Sequence, residues 1–164
     1  MRRFNPLRVM FILFALAIRP FASEPVNDNC INESAKTRVL IATQNGIFKD
    51  SVMRMVIAAL SDDSVCVKVL PLGRLTDEVA ENYQGIIIGN TVGLFGMSGT
   101  AKGFVRKCTD KERKKIVLFT TAFGNKWRPK DLKVDCVTAA SEMKDVPDVA
   151  GSIINKIRAV LSKK

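Results

Sequence analysis

Histidine is absent from all 164 residues. That removes Ser-His-Asp and Cys-His catalysis and the commonest metal ligand together, because those sites use neutral imidazole near pH 7. The chain also has no G-x-G-x-x-G turn, no G-K-[ST] phosphate loop and no C-x-x-C pair. Dinucleotide binding by the usual fingerprint, nucleoside triphosphate hydrolysis, a thioredoxin-type redox motif and a zinc knuckle lose their support with them. Tryptophan and tyrosine occur once each, and no apolar run approaches the ~20 residues that cross a hydrocarbon core. What is present is the composition of one globular domain, 47% apolar and 26% charged, long enough to bury a core. Any reaction therefore has to be carried by groups other than imidazole, and a bound cofactor that brings its own reactive atoms is the obvious candidate.

The first 22 residues contain Arg2, Arg3, Arg8 and Arg19, no acid, and an unbroken apolar stretch from Val9 to Ile18. A positive start, a short apolar centre and small residues at Ala22 and Ser23 are the pattern of a secretory signal peptide; an uncleaved interfacial anchor is the alternative. Residues 23–36 form a polar leader. Four of the 26 basic residues and none of the 16 acids precede Glu24, so the net charge of +10 falls to +6 without the signal. A basic surface could favour an acidic partner or an anionic membrane. Nucleic acid is not expected, because the densest cluster, Arg106, Lys107, Lys111, Arg113, Lys114 and Lys115, has no aromatics interleaved. It sits where a helix should end and a strand begin, and cations complement a helix C-terminus.

From residue 37 onward the pattern alternates. Arg38–Thr43, Val65–Leu70, Gln84–Gly89, Lys115–Thr121 and Val134–Thr138 are short β-branched runs that read as strands. Phe48, Val52, Val56, Ile57 and Leu60 recur at helical spacing, as do Val149, Ile153, Ile154, Ile157, Val160 and Leu161. Runs such as Ile86-Ile87-Ile88, apolar on both faces, point to a parallel sheet covered on each side. The expected fold is a three-layer, doubly wound α/β domain whose ligand lies beyond the carboxyl ends of the strands. Only about a dozen residues separate the last two strands, and Pro129 is among them, so the helix of that crossover should be reduced or missing.

Three stretches carry a resemblance to the flavodoxin family over Arg38 to Leu161: the turn Thr43 to Phe48, the segment Tyr83 to Val105, and the segment Ile116 to Gly124 ending at Trp127. The resemblance implies a five-stranded sheet of order 2-1-3-4-5 over residues 37–164 that binds flavin mononucleotide (FMN). Carried over by position, Thr43, Gln44, Asn45, Gly46, Ile47 and Phe48 would hold the phosphate. Asn90, Thr91, Val92, Gly93, Phe95 and Gly96 would flank one side of the isoalloxazine ring, and Ala122, Phe123, Gly124 and Trp127 the other. Neither a catalytic side chain nor a metal ligand is expected.

The turn departs from the family's S/T-x-T-G-x-T pattern. Thr43 and Gly46 agree, whereas Asn45 and Phe48 stand where hydroxyls are expected. Each lost hydroxyl removes a charge-assisted bond of ~1.5 to 3 kcal/mol, so the two together weaken phosphate binding by several powers of ten. Asn45, backbone amides and Lys49 could compensate, although a lysine on a first helical turn is more commonly exposed. The basic charge also departs from the acidic habit of flavodoxin carriers. The implied function is that of an exported FMN protein transferring electrons, as carrier or small oxidoreductase, to a redox partner or quinone-like acceptor. The alternative is a flavodoxin-like scaffold that has lost flavin and serves as an interaction module of the cell envelope.

The four cysteines, Cys30, Cys66, Cys108 and Cys136, are an even number in an expected oxidising compartment. With strand order 2-1-3-4-5, Cys66 and Cys136 stand four spacings apart, ~19 Å, too far for a disulfide. Cys30 could reach Cys108 if the leader folds back.

Overall fold

The computed structural model describes residues 35–163 apart from 64, 95 and 125. The expected signal segment, nearly all of the leader, Cys30 and Phe95 lie outside the described residues.

Five strands, β1 (Arg38–Thr43), β2 (Cys66–Pro71), β3 (Gly85–Thr91), β4 (Ile116–Thr121) and β5 (Asp135–Ala139), form one sheet. They pair in parallel in the order β2-β1-β3-β4-β5, the order the resemblance implies. Successive side chains leave a strand on opposite faces, and the apolar residues fill both. Val39, Ile41, Ile87, Val117 and Phe119 pack with helices α1 (Ile47–Asp62) and α4 (Val146–Leu161). Leu40, Ala42, Ile86, Ile88, Ile116 and Leu118 pack with α2 (Gly99–Lys107) and the turns beside it. Double coverage is what a parallel sheet requires, and β1, β3 and β4 are almost wholly buried.

Two crossovers depart from the simple βα rhythm. Between β2 and β3 the chain makes two 3-10 turns, Leu72–Asp77 and Ala80–Asn82, in place of an α-helix. Leu72 and Leu75 are spaced by three and both are buried, which suits three residues per turn. Between β4 and β5 the described residues contain no helix, as the short spacing indicates.

The basic cluster lies at the end of α2 and in a one-turn helix, α3 (Asp110–Arg113), opened by a Thr109–Glu112 capping box. Arg113 donates to the carbonyls of Val105 and Arg106 at 3.2 and 3.1 Å, so it satisfies orphan acceptors at the C-terminus of α2. On the opposite face Arg158 of α4 holds Asp63, just past α1, with two bonds of 2.7 and 2.9 Å.

Cys66 is disulfide-bonded, while Cys108 and Cys136 are buried free thiols. The pairing of Cys30 with Cys108 is thereby excluded. Cys66 and Cys136 lie on the two edge strands, so their separation follows from the strand order.

Candidate functional site

Because all five strands are parallel, the segments that follow them converge at one edge of the sheet. Between β1 and α1 the chain turns at Gly46, whose φ of 156° and ψ of 136° precede the first helical bond, from the Asp50 N–H to the Gly46 carbonyl at 2.8 Å. The N–H groups of Ile47, Phe48 and Lys49 have no intrahelical acceptor, and the positive end of the helix dipole lies there. Nothing within 3.4 Å would meet a Cβ at Gly46, and the atom found at 3.4 Å is the Lys49 Nζ.

Lys49 is where the structure departs most from expectation. It is only 7% exposed, and its ammonium donates to the Thr91 hydroxyl at 2.7 Å, bridging the turn after β1 to the end of β3. Burial pulls its pKa below the ordinary lysine value, and neighbouring Asp50 opposes that in part. A desolvated cation is costly unless compensated, and among the described residues the ammonium's one hydrogen bond is to a neutral hydroxyl. The signal was legible in the helix register: 49, 53, 56 and 60 fall on one stripe, and Met53, Val56 and Leu60 are core residues.

The remaining turn residues divide. Thr43 donates to the Gln44 carbonyl at 3.2 Å and packs against Gly89, so its hydroxyl proton is already engaged. Gln44 accepts the Thr91 N–H at 2.7 Å and anchors the turn to β3. Asn45 lines a cavity of about 340 Å³ with Thr43, Gln44, Gly73, Ser98 and Thr100. Ile47 is 81% exposed. The Phe48 side chain turns into the core, its ring 6.2 Å from that of Phe119, so it neither offers a hydroxyl nor fills the turn; its N–H alone remains at the helix start. Asp50 stands against the anion reading, with a carboxylate oxygen 3.4 Å from the Gly46 nitrogen.

Over the ends of β3, β4 and β5 a second cavity of about 340 Å³ is lined by Thr91, Val92, Thr121, Ala122, Phe123, Gly124, Ala140 and Ser141. Phe123 is fully exposed at its edge, and Leu94, two residues past Val92, is 98% exposed. Leu94 tips a tight hairpin closed by reciprocal 3.0 Å bonds between Gly93 and Gly96. Gly96 has φ of 90°, a conformation that favours glycine. Asn90 points to the other face, toward α2, where Oδ1 accepts the Ser98 N–H at 2.8 Å while the buried Nδ2 has no partner among the described residues. A buried donor left unpaired costs ~1 to 3 kcal/mol, so this amide is a vacancy in the bonding of the α2 face.

Trp127 is not brought to Phe123. Its carbonyl accepts from Thr138 at 2.7 Å, and its ring packs on the α2-side core. With Gly96 it lines a third, larger cavity beside α2. The structure thus gathers Thr91, Val92, Ala122, Phe123 and Gly124, ties them through Lys49 and Gln44 to the first turn, and sets Asn90, Gly96 and Trp127 on the neighbouring face. Among the described residues no cluster of three or more acidic or thiol side chains is placed to hold a metal ion.

No family model matches the chain, and no curated protein matches it in sequence. Solved structures do match it in shape. An oxidoreductase from Corynebacterium diphtheriae superposes with TM-score 0.53 at 12% identity, over 78% of this chain and 98% of that one. A two-electron reduced flavodoxin from Megasphaera elsdenii gives TM-score 0.53 at 11% identity, over 73% and 98%. A flavodoxin from the domain Archaea gives 0.51 at 11%, over 76% and 98%.

Proposed function

We propose that this chain, whose fold is flavodoxin-like, binds flavin mononucleotide at the carboxyl edge of its sheet and transfers electrons. One observation carries the reading: the turn after β1 joins a helix start with free N–H groups to a buried ammonium whose one hydrogen bond among the described residues is to a neutral hydroxyl. A phosphate ester is the natural counter-charge for such a place. The fit is that of a modified phosphate turn, in which one cation takes over from hydroxyls missing at positions 45 and 48.

In this reading the N–H groups of Ile47, Phe48 and Lys49, with the Lys49 ammonium, hold the phosphate. Thr91, Val92, Ala122, Phe123 and Gly124 receive the ring, Phe123 offering a face that can cover a flat system and exclude water. The flavin would supply the electron and hydride chemistry that no side chain here provides. Gln44 keeps the turn and β3 in fixed relation through its bond to the Thr91 amide. The electron acceptor in this reading is a redox protein or a quinone-like molecule, and the basic surface suits an acidic partner or an anionic membrane.

Export belongs to the same proposal. It is supported by the charge pattern of residues 1–22 and by the disulfide at Cys66, since such bonds persist in oxidising compartments.

Asp50 favours a second reading, a scaffold without flavin, because its carboxylate approaches the Gly46 amide where an anion's oxygen would compete. One experiment separates the two. The purified protein is mixed with FMN, and flavin absorbance and fluorescence quenching are followed through gel filtration. Co-elution of a quenched, yellow species supports the first reading; no binding at micromolar protein rejects it.

A further inference from the structure

We propose that the cavity under the β4–β5 connection is a separate binding site for a small organic anion, a flat apolar body bearing carboxylate, sulfonate or phosphate groups. A parallel crossover ordinarily lays a helix over the sheet. Here residues 126–134 run without one, and cover on that side is reduced to Trp127, Leu132 and Val134 packed on the α2-side core. What the missing helix leaves is a cavity of about 840 Å³ between this segment and α2, within the ~300 to 1,000 Å³ of small-molecule sites. It shares no lining residue with either cavity at the carboxyl edge.

Its lining has two chemistries. Met97, Trp127, Pro129 and Leu132 provide apolar surface, and Lys102, Lys126, Arg128 and Lys130 provide four cations against the single acid Asp131. Lys102, Lys126 and Lys130 form no ion pair among the described residues. Unneutralised charge of one sign around a low-dielectric hollow focuses the field inside it and draws in the opposite charge. Trp127 is held in place by its backbone, whose carbonyl accepts from Thr138 and from Arg128, each at 2.7 Å. Its half-buried indole presents the polarisable surface that a flat ligand stacks on. Walls on two sides favour a compact molecule over an extended acidic peptide.

Trp127 is the one tryptophan of the chain, so the site carries its own reporter. The probe pair is 1-anilinonaphthalene-8-sulfonate and N-phenyl-1-naphthylamine, the same body with and without the anionic group, titrated into the full chain. The expected result is one saturable site for the sulfonate with energy transfer from Trp127, and affinity for the neutral compound about tenfold lower. Lys126→Gln together with Lys130→Gln should weaken the sulfonate by about three- to tenfold, the range for two exposed charges, and Asp131→Asn should strengthen it. Equal affinity for the two probes in the unmodified protein overturns the proposal whatever the variants do. So does sulfonate binding that ignores the lysine substitutions in protein with unchanged circular dichroism. A hexaglutamate peptide that changes Trp127 emission where neither probe does would overturn it in favour of acidic protein docking.

Discussion

Replacing Lys49 with methionine tests the electrostatic core of the proposed flavin site. Methionine keeps an unbranched apolar stem one atom shorter and removes the ammonium that reaches Thr91 at 2.7 Å. A hydrogen bond to a charged group contributes ~1.5 to 3 kcal/mol, so losing the Lys49 contribution to a phosphate weakens FMN by about 10- to 150-fold. Riboflavin, which has the ring and no phosphate, should bind the parent and the variant alike. The diagnostic quantity is therefore the ratio of the two affinities, measured by fluorescence quenching, and it should collapse in Lys49→Met. The apo protein adds an independent readout. Burial lowers the native pKa of Lys49 from the ordinary 10.5; the folded chain then gives up this proton before the unfolded chain does. Between those two values the unfolded state binds more protons, so stability attributable to Lys49 rises with pH and its burial is a cost at lower pH. Lys49→Met should flatten that rise in urea denaturation and leave the apo protein no less stable near neutrality. An unchanged FMN-to-riboflavin ratio would refute the assignment of the ammonium to phosphate.

Asp50→Asn removes the carboxylate near the Gly46 amide and should tighten FMN several-fold in the same titration; weaker binding would show that Asp50 organises the turn instead. Gly89→Ala would put a Cβ 2.3 Å from the Thr43 Oγ1 and 2.8 Å from its Cβ, between adjacent strands, and should cost ~1 to 3 kcal/mol by urea denaturation. Gly85→Ala meets chiefly the flexible tip of Ile157 at 2.7 Å and should cost less. Peptide mapping without reductant should join the Cys66 peptide to that of Cys30, the one cysteine left once Cys108 and Cys136 are found free; alkylation of the last two should require unfolding, since both are buried.

The architecture was readable because it depends on patterns that survive in one dimension. Ile86, Ile87 and Ile88 can all be apolar only if both faces of their strand are covered, and that implies parallel pairing and the layers on either side. Short spacing and Pro129 likewise announced a crossover without a helix. The 3-10 turns after β2 were harder to read: Leu72 and Leu75 are compatible with several local conformations, and burial under Tyr83 and Leu70 chooses among them. The site was legible only in outline. Its loops were located by their place after strands, but directions within them depend on tertiary contacts. Thr43 looked like a phosphate donor until its hydroxyl was found facing Gln44 and Gly89. Phe48 stands where a hydroxyl was expected, yet its ring continues the α1 core stripe toward Phe119. Trp127 followed Phe123 closely in sequence, and the uncovered edge drew it to the other face.

The Thr91 hydroxyl receives bonds from both Lys49 and Thr121, at 2.7 and 3.2 Å. An alcohol has two lone pairs and a single hydrogen, so with both pairs engaged this group has only its hydrogen to offer above the sheet. Position 91 should therefore discriminate by polarity, welcoming a carbonyl oxygen or a bare ring nitrogen and turning away an amine. Serine there would keep that preference and valine would erase it.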